Sequence, residues 1–234
     1  MPQGNGMEKE TRYELQRSRK RKKTISLQVR RDGTVVVQAP LRTPKSEIER
    51  LIEKKKSWLR KRLQEQRERG EKSFADGETF LYLGQSYPLV ILDPRGDGHQ
   101  VLPLTFSGQR FLLRGDHAAD ARFLFTEWYR ERAGAYIPDR VRHFSTALGS
   151  FPRGVRISSA ACRWGSCSID NRLFFSWRLV MAPPPVIDYV ILHEFSHLYE
   201  KSHSRRFWNI LEAVLPDYEK YRIWLRENGH LLTL

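Results

Sequence analysis

The chain has 234 residues and a formal net charge of +14, and 40% of its residues are hydrophobic. This composition predicts a packed globular protein with one substantial core, and it excludes a disordered chain. No apolar run approaches the ~20 residues needed to span a membrane. The polar residues 1–10 lack the apolar core of a secretory signal, so we expect a cytoplasmic protein.

The basic excess lies almost entirely in the first third of the chain. Residues 1–72 hold 22 Lys/Arg and 10 Asp/Glu, whereas residues 73–234 hold 19 and 17. The densest run contains the consecutive residues Arg19, Lys20, Arg21, Lys22 and Lys23. Such a run attracts phosphate groups through counterion release, so nucleic acid or another polyanion is one hypothesis for a partner. A solvated surface that keeps the protein soluble is the alternative.

The N-terminal region predicts a polar basic tail, a β-hairpin and a helix. The tail covers residues 1–18, and the hairpin and helix form a lobe over residues 19–72. Two stretches that alternate apolar and polar side chains flank Asp32-Gly33, which is typical of a hairpin. Pro44 then opens a helix that is expected to end near Gly70.

The remaining residues, 73–234, predict short strands and long helices, and therefore an α+β fold. The predicted strands cover residues 80–92 on both sides of Gly84, 101–106, 109–113, 154–159 and 171–176. Asp116 is expected to cap a helix that reaches about Ala147, with Phe123 on its apolar side and Pro138 as a kink.

The motif that carries chemistry lies in residues 190–208, which read V-I-L-H-E-F-S-H-L-Y-E-K-S-H-S-R-R-F-W. His193 and His197 are four residues apart, so on a helix their imidazoles share one face and can bind one ion. Glu194 lies next to them, within reach of a water at that ion. This is the H-E-x-x-H arrangement, in which the histidines bind zinc and the glutamate acts as general base.

A catalytic zinc ion takes three protein ligands, so a third ligand is expected. His203 follows His197 by six residues, and Ser202 or Ser204 can cap the next helix and fix its position. A carboxylate from the following helices, Glu212 or Glu219, is the alternative third ligand.

Several segments together resemble the YgjP-like metallopeptidase domain family, which is related to the SprT-like and WLM zinc proteases. They are R-W-G-S-C at residues 163–167, W-R-L-V-M-A-P-P-P-V-I-D-Y-V-I-L-H-E-F-S-H-L at 177–198, H-S-R-R-F-W at 203–208 and L-P-D-Y at 215–218. The resemblance covers the chain from about Arg19 to Gly229, so residues 19–234 are expected to form one such domain.

The resemblance implies one zinc ion per chain, bound by His193, His197 and His203, with Glu194 catalytic. It also implies a zincin-like fold, in which a small mixed or antiparallel sheet packs on an active-site helix and a backing helix. Related families act on proteins, some of them bound to DNA, which keeps the polyanion hypothesis open.

The same resemblance places the loop that carries Arg163 and Trp164 near the site. Ser176 stands where the family pattern leads us to expect asparagine. Arg163 and Tyr199 are the candidates for a donor that stabilises the oxyanion, and Trp164 is a candidate substrate contact. An exposed edge strand over residues 172–176 is expected to bind an extended peptide by strand addition.

The cysteines are expected to be reduced, since two in a chain of this length do not form a disulfide framework. Cys167 lies in what is expected to be a tight turn, with its thiol buried rather than reactive.

The predicted function is a zinc metallopeptidase in which Glu194 takes a proton from the attacking water and delivers it to the leaving amine. Two alternatives remain. One is a zinc phosphohydrolase or nucleotide hydrolase, although the sequence holds no Gly-rich phosphate loop. The other is a nucleic-acid-binding protein with a structural zinc site, which leaves Glu194 unexplained.

Overall fold

The computed structural model describes residues 13–19, 21, 24–29, 34–68, 72–95 and 102–234. Contacts divide the chain into two compact units, Met1–Gly70 and Glu71–Leu234. Each unit has its own cluster of buried apolar side chains. Small sheets and helices occur in both, so the predicted α+β class is confirmed. None of the helices in the described part of the chain is long and apolar enough to cross a lipid bilayer.

The first unit contains a three-stranded sheet. Its strands are β1 (Tyr13–Ser18), β2 (Ser26–Val29) and β3 (Val35–Pro40). The central strand, β3, runs parallel to β1 and antiparallel to β2. The pairing of β2 with β3 confirms the predicted hairpin, although its turn at residues 30–33 lies outside the described residues.

Strand β1 corrects the expectation of a polar tail over residues 1–18. Tyr13 and Leu15 alternate along the strand and pack against the apolar cluster of this unit. The guanidinium of Arg17 donates hydrogen bonds to the carbonyl oxygens of Leu41 and Thr43, at 2.5 and 2.9 Å. The strand forms because this burial and pairing outweigh the polar composition of the segment.

The predicted single helix of the first unit is divided into α1 (Lys45–Lys54) and α2 (Lys56–Glu68). Lys55 separates them, and its backbone departs from helical geometry. The Lys55 N–H is shared between the carbonyl oxygens of Leu51 and Ile52, at 3.0 and 3.1 Å, so one hydrogen bond of a regular helix is loosened here.

The described residues of the second unit form a four-stranded sheet, a three-stranded sheet and four α-helices. The four-stranded sheet has the order β4-β5-β7-β6, with strands β4 (Thr79–Tyr82), β5 (Gln85–Leu92), β6 (Leu104–Phe106) and β7 (Phe111–Arg114). The three-stranded sheet has the order β8-β10-β9, with strands β8 (Gly154–Ser158), β9 (Gly165–Cys167) and β10 (Arg172–Ser176). The helices are α3 (Ala121–Leu148), α4 (Pro184–Ser196), α5 (Arg205–Val214) and α6 (Tyr218–Asn228).

The three-stranded sheet differs from the expectation in two ways. Strand β10 is central, parallel to β8 and antiparallel to β9, so residues 172–176 do not form the exposed edge that was expected. Strand β9 occupies that edge, and it replaces the tight turn expected around Gly165. Leu173 and Phe175 on β10 are fully buried, which explains why this strand takes the central position.

Helix α3 also departs from the expectation. Asp116 lies in a 3₁₀ turn, Gly115–Asp120, and pairs with Arg114 instead of capping the helix. Phe123 was expected on the apolar side, but 66% of its surface is exposed. Pro138 lies inside α3, which continues past it as one helix.

Helix α4 is held in place from two directions. The guanidinium of Arg140 on α3 donates two hydrogen bonds of 2.8 Å to the carboxylate of Asp188 on α4. On the other side, the turn between β4 and β5 contacts the residues that precede α4. There the N–H of Leu83 donates to the carbonyl oxygen of Val180 at 2.8 Å. These contacts fix the start of the helix that carries the H-E-x-x-H motif.

Candidate metal centre

Three imidazoles meet at the end of α4. His193 and His197 lie one turn apart, and His203 follows in the connection to α5. One ring nitrogen from each residue lies within 4.8 Å of the other two, and the Nε2 atoms of His193 and His203 are 3.0 Å apart. Among the described residues, these three side chains form the group able to hold a metal ion. Three converging imidazole nitrogens fit the requirement of a zinc ion that keeps one position open.

Neighbouring groups fix the orientation of the three rings. The Nδ1 atom of His197 lies 3.0 Å from the carbonyl oxygen of Glu200, so its Nε2 remains for a metal. Phe207 is fully buried, and its ring centroid lies 4.5 to 4.8 Å from those of all three histidines. The side chain of Ser204 caps α5 by accepting a hydrogen bond from the Phe207 N–H. Of the two predicted capping residues, Ser202 and Ser204, the second is therefore the cap.

The two alternative ligands lie outside this group. Glu212 is exposed on α5, and the carboxylate of Glu219 on α6 pairs with the guanidinium of Arg222 at 2.8 Å. Trp208 stacks on His203, with ring centroids 5.8 Å apart. Arg222 in turn lies over the Trp208 ring.

The surroundings favour neutral imidazoles, which are the form that binds a metal. Burial lowers the pKa of His193 to about 3, and the proximity of the other two histidines adds to this effect. Burial also lowers the pKa of His197, although the carbonyl oxygen of Glu200 opposes the change. The Nδ1 atom of His193 is buried and has no hydrogen-bond partner among the described residues.

Glu194 lies on the buried side of α4, with 5% of its surface exposed. Burial raises the pKa of its carboxyl group to about 8, and the positive charge of Arg163 opposes the rise. The carboxyl group lies directly against the backbone of Gly165 on β9. Burial alone therefore favours the protonated form of this carboxyl group at neutral pH, and a nearby cation favours the ionised form that can accept a proton.

The loop before β9 lies near the site, as the electrostatic effect of Arg163 on Glu194 indicates. Trp164 is half-buried and packs against Gly229. Ser176 is buried, its N–H donates to the carbonyl oxygen of Trp164, and its hydroxyl donates to that of Ala160, each at 2.8 Å. Serine thus connects this loop to β10 at the position where asparagine was expected.

Tyr199 and Cys167 differ in their relation to the site. Tyr199 lies in the turn after α4 and is 54% exposed, so its side chain is available to a substrate. Cys167 is half-buried, and its Sγ lies 3.3 Å from the Nζ of Lys201. That ammonium also donates to the carbonyl oxygen of Ser168 and to the side chain of Asn171, at 2.9 and 2.6 Å. Lys201 therefore links the β9–β10 turn to the segment between His197 and His203.

The sequence profile of the YgjP-like metallopeptidase domain matches residues 23–228. The chain belongs to the YgjP-like family. Its members are metallopeptidases by description, and the α+β fold with small sheets is the zincin-like fold that the sequence predicts for this family.

Two crystal structures of metallopeptidase zymogens are similar to part of this YgjP-like chain. Abylysin from Pyrococcus abyssi has 22% identity and a TM-score of 0.35, over 38% of this chain and 93% of that one. Jannalysin from Methanocaldococcus jannaschii has 20% identity and a TM-score of 0.36, over 40% of this chain and 96% of that one. A search among curated proteins found no match.

The basic run of this YgjP-like chain is described only in part. Arg19 is exposed, and the guanidinium of Arg21 donates a 2.6 Å hydrogen bond to the side chain of Gln38. Lys20, Lys22 and Lys23 lie outside the described residues. Binding of a polyanion by this run stays a prediction.

Three residues of the site were not singled out from the sequence. Phe207 forms the floor beneath the histidines, Gly165 faces Glu194, and Lys201 anchors the β9–β10 turn. Gly165 carried a signal, because it lies inside the R-W-G-S-C motif of the YgjP-like pattern. Phe207 carried the same kind of signal, because it lies inside the H-S-R-R-F-W segment, whereas Lys201 carried none beyond its place near His203.

Proposed function

We propose that the chain is a zinc-dependent metallopeptidase that uses His193, His197 and His203 as ligands and Glu194 as general base. One observation carries the proposal: three imidazoles converge, and the buried carboxyl group of Glu194 lies beside them without being part of the ligand group. Imidazole suits zinc as a ligand, and a structural zinc site has no use for such a carboxyl group. When bound, the ion lowers the pKa of a water molecule towards ~7 and polarises the substrate carbonyl.

The chain's own residues then supply the proton transfers. The positive charge of a bound cation favours the ionised form of Glu194, against the effect of its burial. The carboxylate accepts a proton from the attacking water and delivers it to the amine that leaves, so it serves first as base and then as acid. Arg163 and Tyr199 remain the candidates for a donor to the oxyanion. Trp164 remains a candidate substrate contact.

An extended substrate would bind along β9 rather than β10. Strand β9 is an edge strand of the sheet and lies against Glu194, whereas β10 is paired on both sides. Backbone hydrogen bonds from an edge strand hold a peptide largely independently of its side chains. Peptides N-methylated near the scissile bond should therefore show a raised KM. An unchanged KM for every position of methylation would rule this mode out.

The first experiment is to measure zinc content and peptide hydrolysis together. We expect about one zinc ion in the wild type and in Glu194→Gln, and a strong loss in His203→Ala. Hydrolysis should fall by about 100-fold or more in Glu194→Gln despite its zinc, because a general base contributes roughly 10²–10⁴. His143→Ala, which removes an exposed histidine of α3, is the matched control.

The outcomes separate the ligand set from the reaction. Full zinc retention in His203→Ala would move the third ligand to Glu212 or Glu219. Normal hydrolysis in Glu194→Gln would remove the general-base role. Hydrolysis of a phosphate ester or nucleotide, with no cleavage of any peptide, would favour the phosphohydrolase alternative over the peptidase to which family membership points.

Binding of nucleic acid is a separate hypothesis that rests on charge. Exposed Lys54, Lys55, Arg60 and Lys61 on and between α1 and α2 add to the basic run, and Trp58 lies among them with 37% of its surface exposed. Cationic and aromatic side chains of this kind bind single strands. The affinity for a single-stranded oligonucleotide should fall steeply with salt and stay unchanged in Glu194→Gln. A lack of salt-dependent binding would dismiss this hypothesis and leave the peptidase proposal intact.

A further inference from the structure

We infer that Gly165 is a positioning residue: the edge strand lacks a side chain at this position so that the Glu194 carboxyl group can lie against its backbone. The role rests on the proposed function of Glu194 as general base. Gly165 makes no contribution through a functional group. It acts through the space that it leaves for Glu194.

The distances show how little room there is. A Cβ atom added to Gly165 would lie 2.6 Å from Glu194 Oε1, 2.7 Å from its Cγ and 2.9 Å from its Cδ. Cβ atoms in proteins essentially never approach another heavy atom within 3.0 Å, and ordinary contact begins at 3.4 Å. The φ angle of Gly165 lies outside the left-handed region, so any residue could adopt this backbone. The glycine is required by the contact with Glu194 and not by its conformation.

Strand β9 is held in place by the central strand β10. Gly165 is paired with Phe175, which is fully buried on the central strand β10. The carbonyl oxygen of Trp164, the residue before it, accepts from the Ser176 N–H at 2.8 Å. Because these contacts hold the strand, an added methyl group would displace the flexible end of Glu194 rather than the backbone.

The required displacement predicts the loss of activity. Relief of the contact from 2.6 Å to 3.4 Å moves the carboxyl group by about 1 Å, a misplacement that can lower a rate by about 100-fold. Glu194 is not one of the three converging ligands, so a shift of its carboxyl group should leave zinc binding intact. We therefore expect Gly165→Ala to reduce kcat by about 100-fold, with little change in KM and full zinc content.

The matched control is Gly154→Ala. Gly154 lies on β8, the other edge strand of the same sheet, and a Cβ atom there meets nothing within 4 Å. This variant carries the same change in backbone entropy and β-propensity, so it should retain wild-type kcat. A wild-type kcat in Gly165→Ala, or a loss of activity that matches a loss of zinc, would overturn the proposal.

A second measurement does not depend on catalysis. In the presence of EDTA, Gly165→Ala should lower the urea midpoint of the wild type but not that of Glu194→Ala, since that variant lacks all three atoms in the contact. An equal shift in both backgrounds would show that position 165 does not act through Glu194. If the wild type cleaves no peptide, the proposed function fails. The difference in urea midpoints still shows whether the residue at position 165 contacts Glu194.

Discussion

Replacement of Glu194 by glutamine should make the stability of the metal-free protein much less dependent on pH. The Glu194 carboxyl group is buried, and its pKa in the folded protein is raised to about 8 from an ordinary value of 4.5. Between these two pH values the folded protein retains a proton that the unfolded chain has released. The free energy of unfolding of the wild type therefore falls as the pH rises from about 4.5 to about 8.

The magnitude follows from the two pKa values. Each pKa unit corresponds to about 1.4 kcal/mol, so the rise from 4.5 to about 8 amounts to about 5 kcal/mol at alkaline pH. This is a large share of the roughly 5–15 kcal/mol that stabilises a typical domain. Glutamine resembles the protonated acid and does not ionise. It therefore causes no loss of stability as the pH rises. The lowered pKa of His193 makes stability rise with pH below 6.5, but this contribution is common to both proteins and cancels.

The assay is urea unfolding in EDTA, followed by tryptophan fluorescence, at several pH values between 5 and 9. Wild type and Glu194→Gln should have similar midpoints at pH 5, and the variant should be clearly more stable at pH 9. Glu212→Gln, at an exposed position on α5, controls for the amide substitution. Parallel pH profiles for wild type and Glu194→Gln would refute the reasoning, because they would show that burial does not hold the proton on Glu194.

Three further outcomes are expected. Phe207→Ala should lower the free energy of unfolding by about 3–5 kcal/mol and weaken zinc binding, because the buried Phe207 ring packs against all three imidazoles. Urea unfolding measures the first effect and zinc titration the second, with Phe207→Leu as the milder control. Gly84→Ala should destabilise the protein more than Gly77→Ala in thermal unfolding. Both glycines have a φ of 79°, but only at Gly84 would a Cβ atom collide, at 2.8 Å from Pro183. Zinc at about 1,000 times its Kd should stabilise the wild type by about 4 kcal/mol, and His203→Ala should abolish this gain in the same assay.

Local sequence patterns predicted the strands that flank clear turn residues. The hairpin of β2 and β3 was predictable because Asp32-Gly33 separates two runs rich in β-branched residues, and the strands on both sides of Gly84 because apolar and aromatic runs flank this glycine. Burial itself does not alternate along β3, where Val35, Val36 and Val37 are all buried. Strand β1 was missed, because its charged residues concealed the alternation of Tyr13 and Leu15. Strand β9 has three residues, too few for any pattern, and its composition is typical of a turn.

The candidate site was predictable only where its geometry is local. The spacing of His193 and His197 on a helix places their rings on one face, whatever the rest of the fold. Gly165 lies 29 positions before Glu194 along the chain, and tertiary packing alone brings them together. The order of strands in the three-stranded sheet is likewise a result of which strand is most buried, which short segments do not reveal.

The short segment that holds all three ligands has a consequence for how the protein loses activity. All three imidazoles lie within residues 193–203, so a bound ion closes a loop of eleven residues, which costs little chain entropy. Strand β9, which faces the Glu194 carboxyl group, lies outside this segment, so a local opening of β9 would leave the three imidazoles together. A molecule in which β9 has opened can therefore keep its metal and still be inactive. A measurement of metal content therefore reports how many histidine clusters are intact. Only a measurement of turnover reports how many molecules are active.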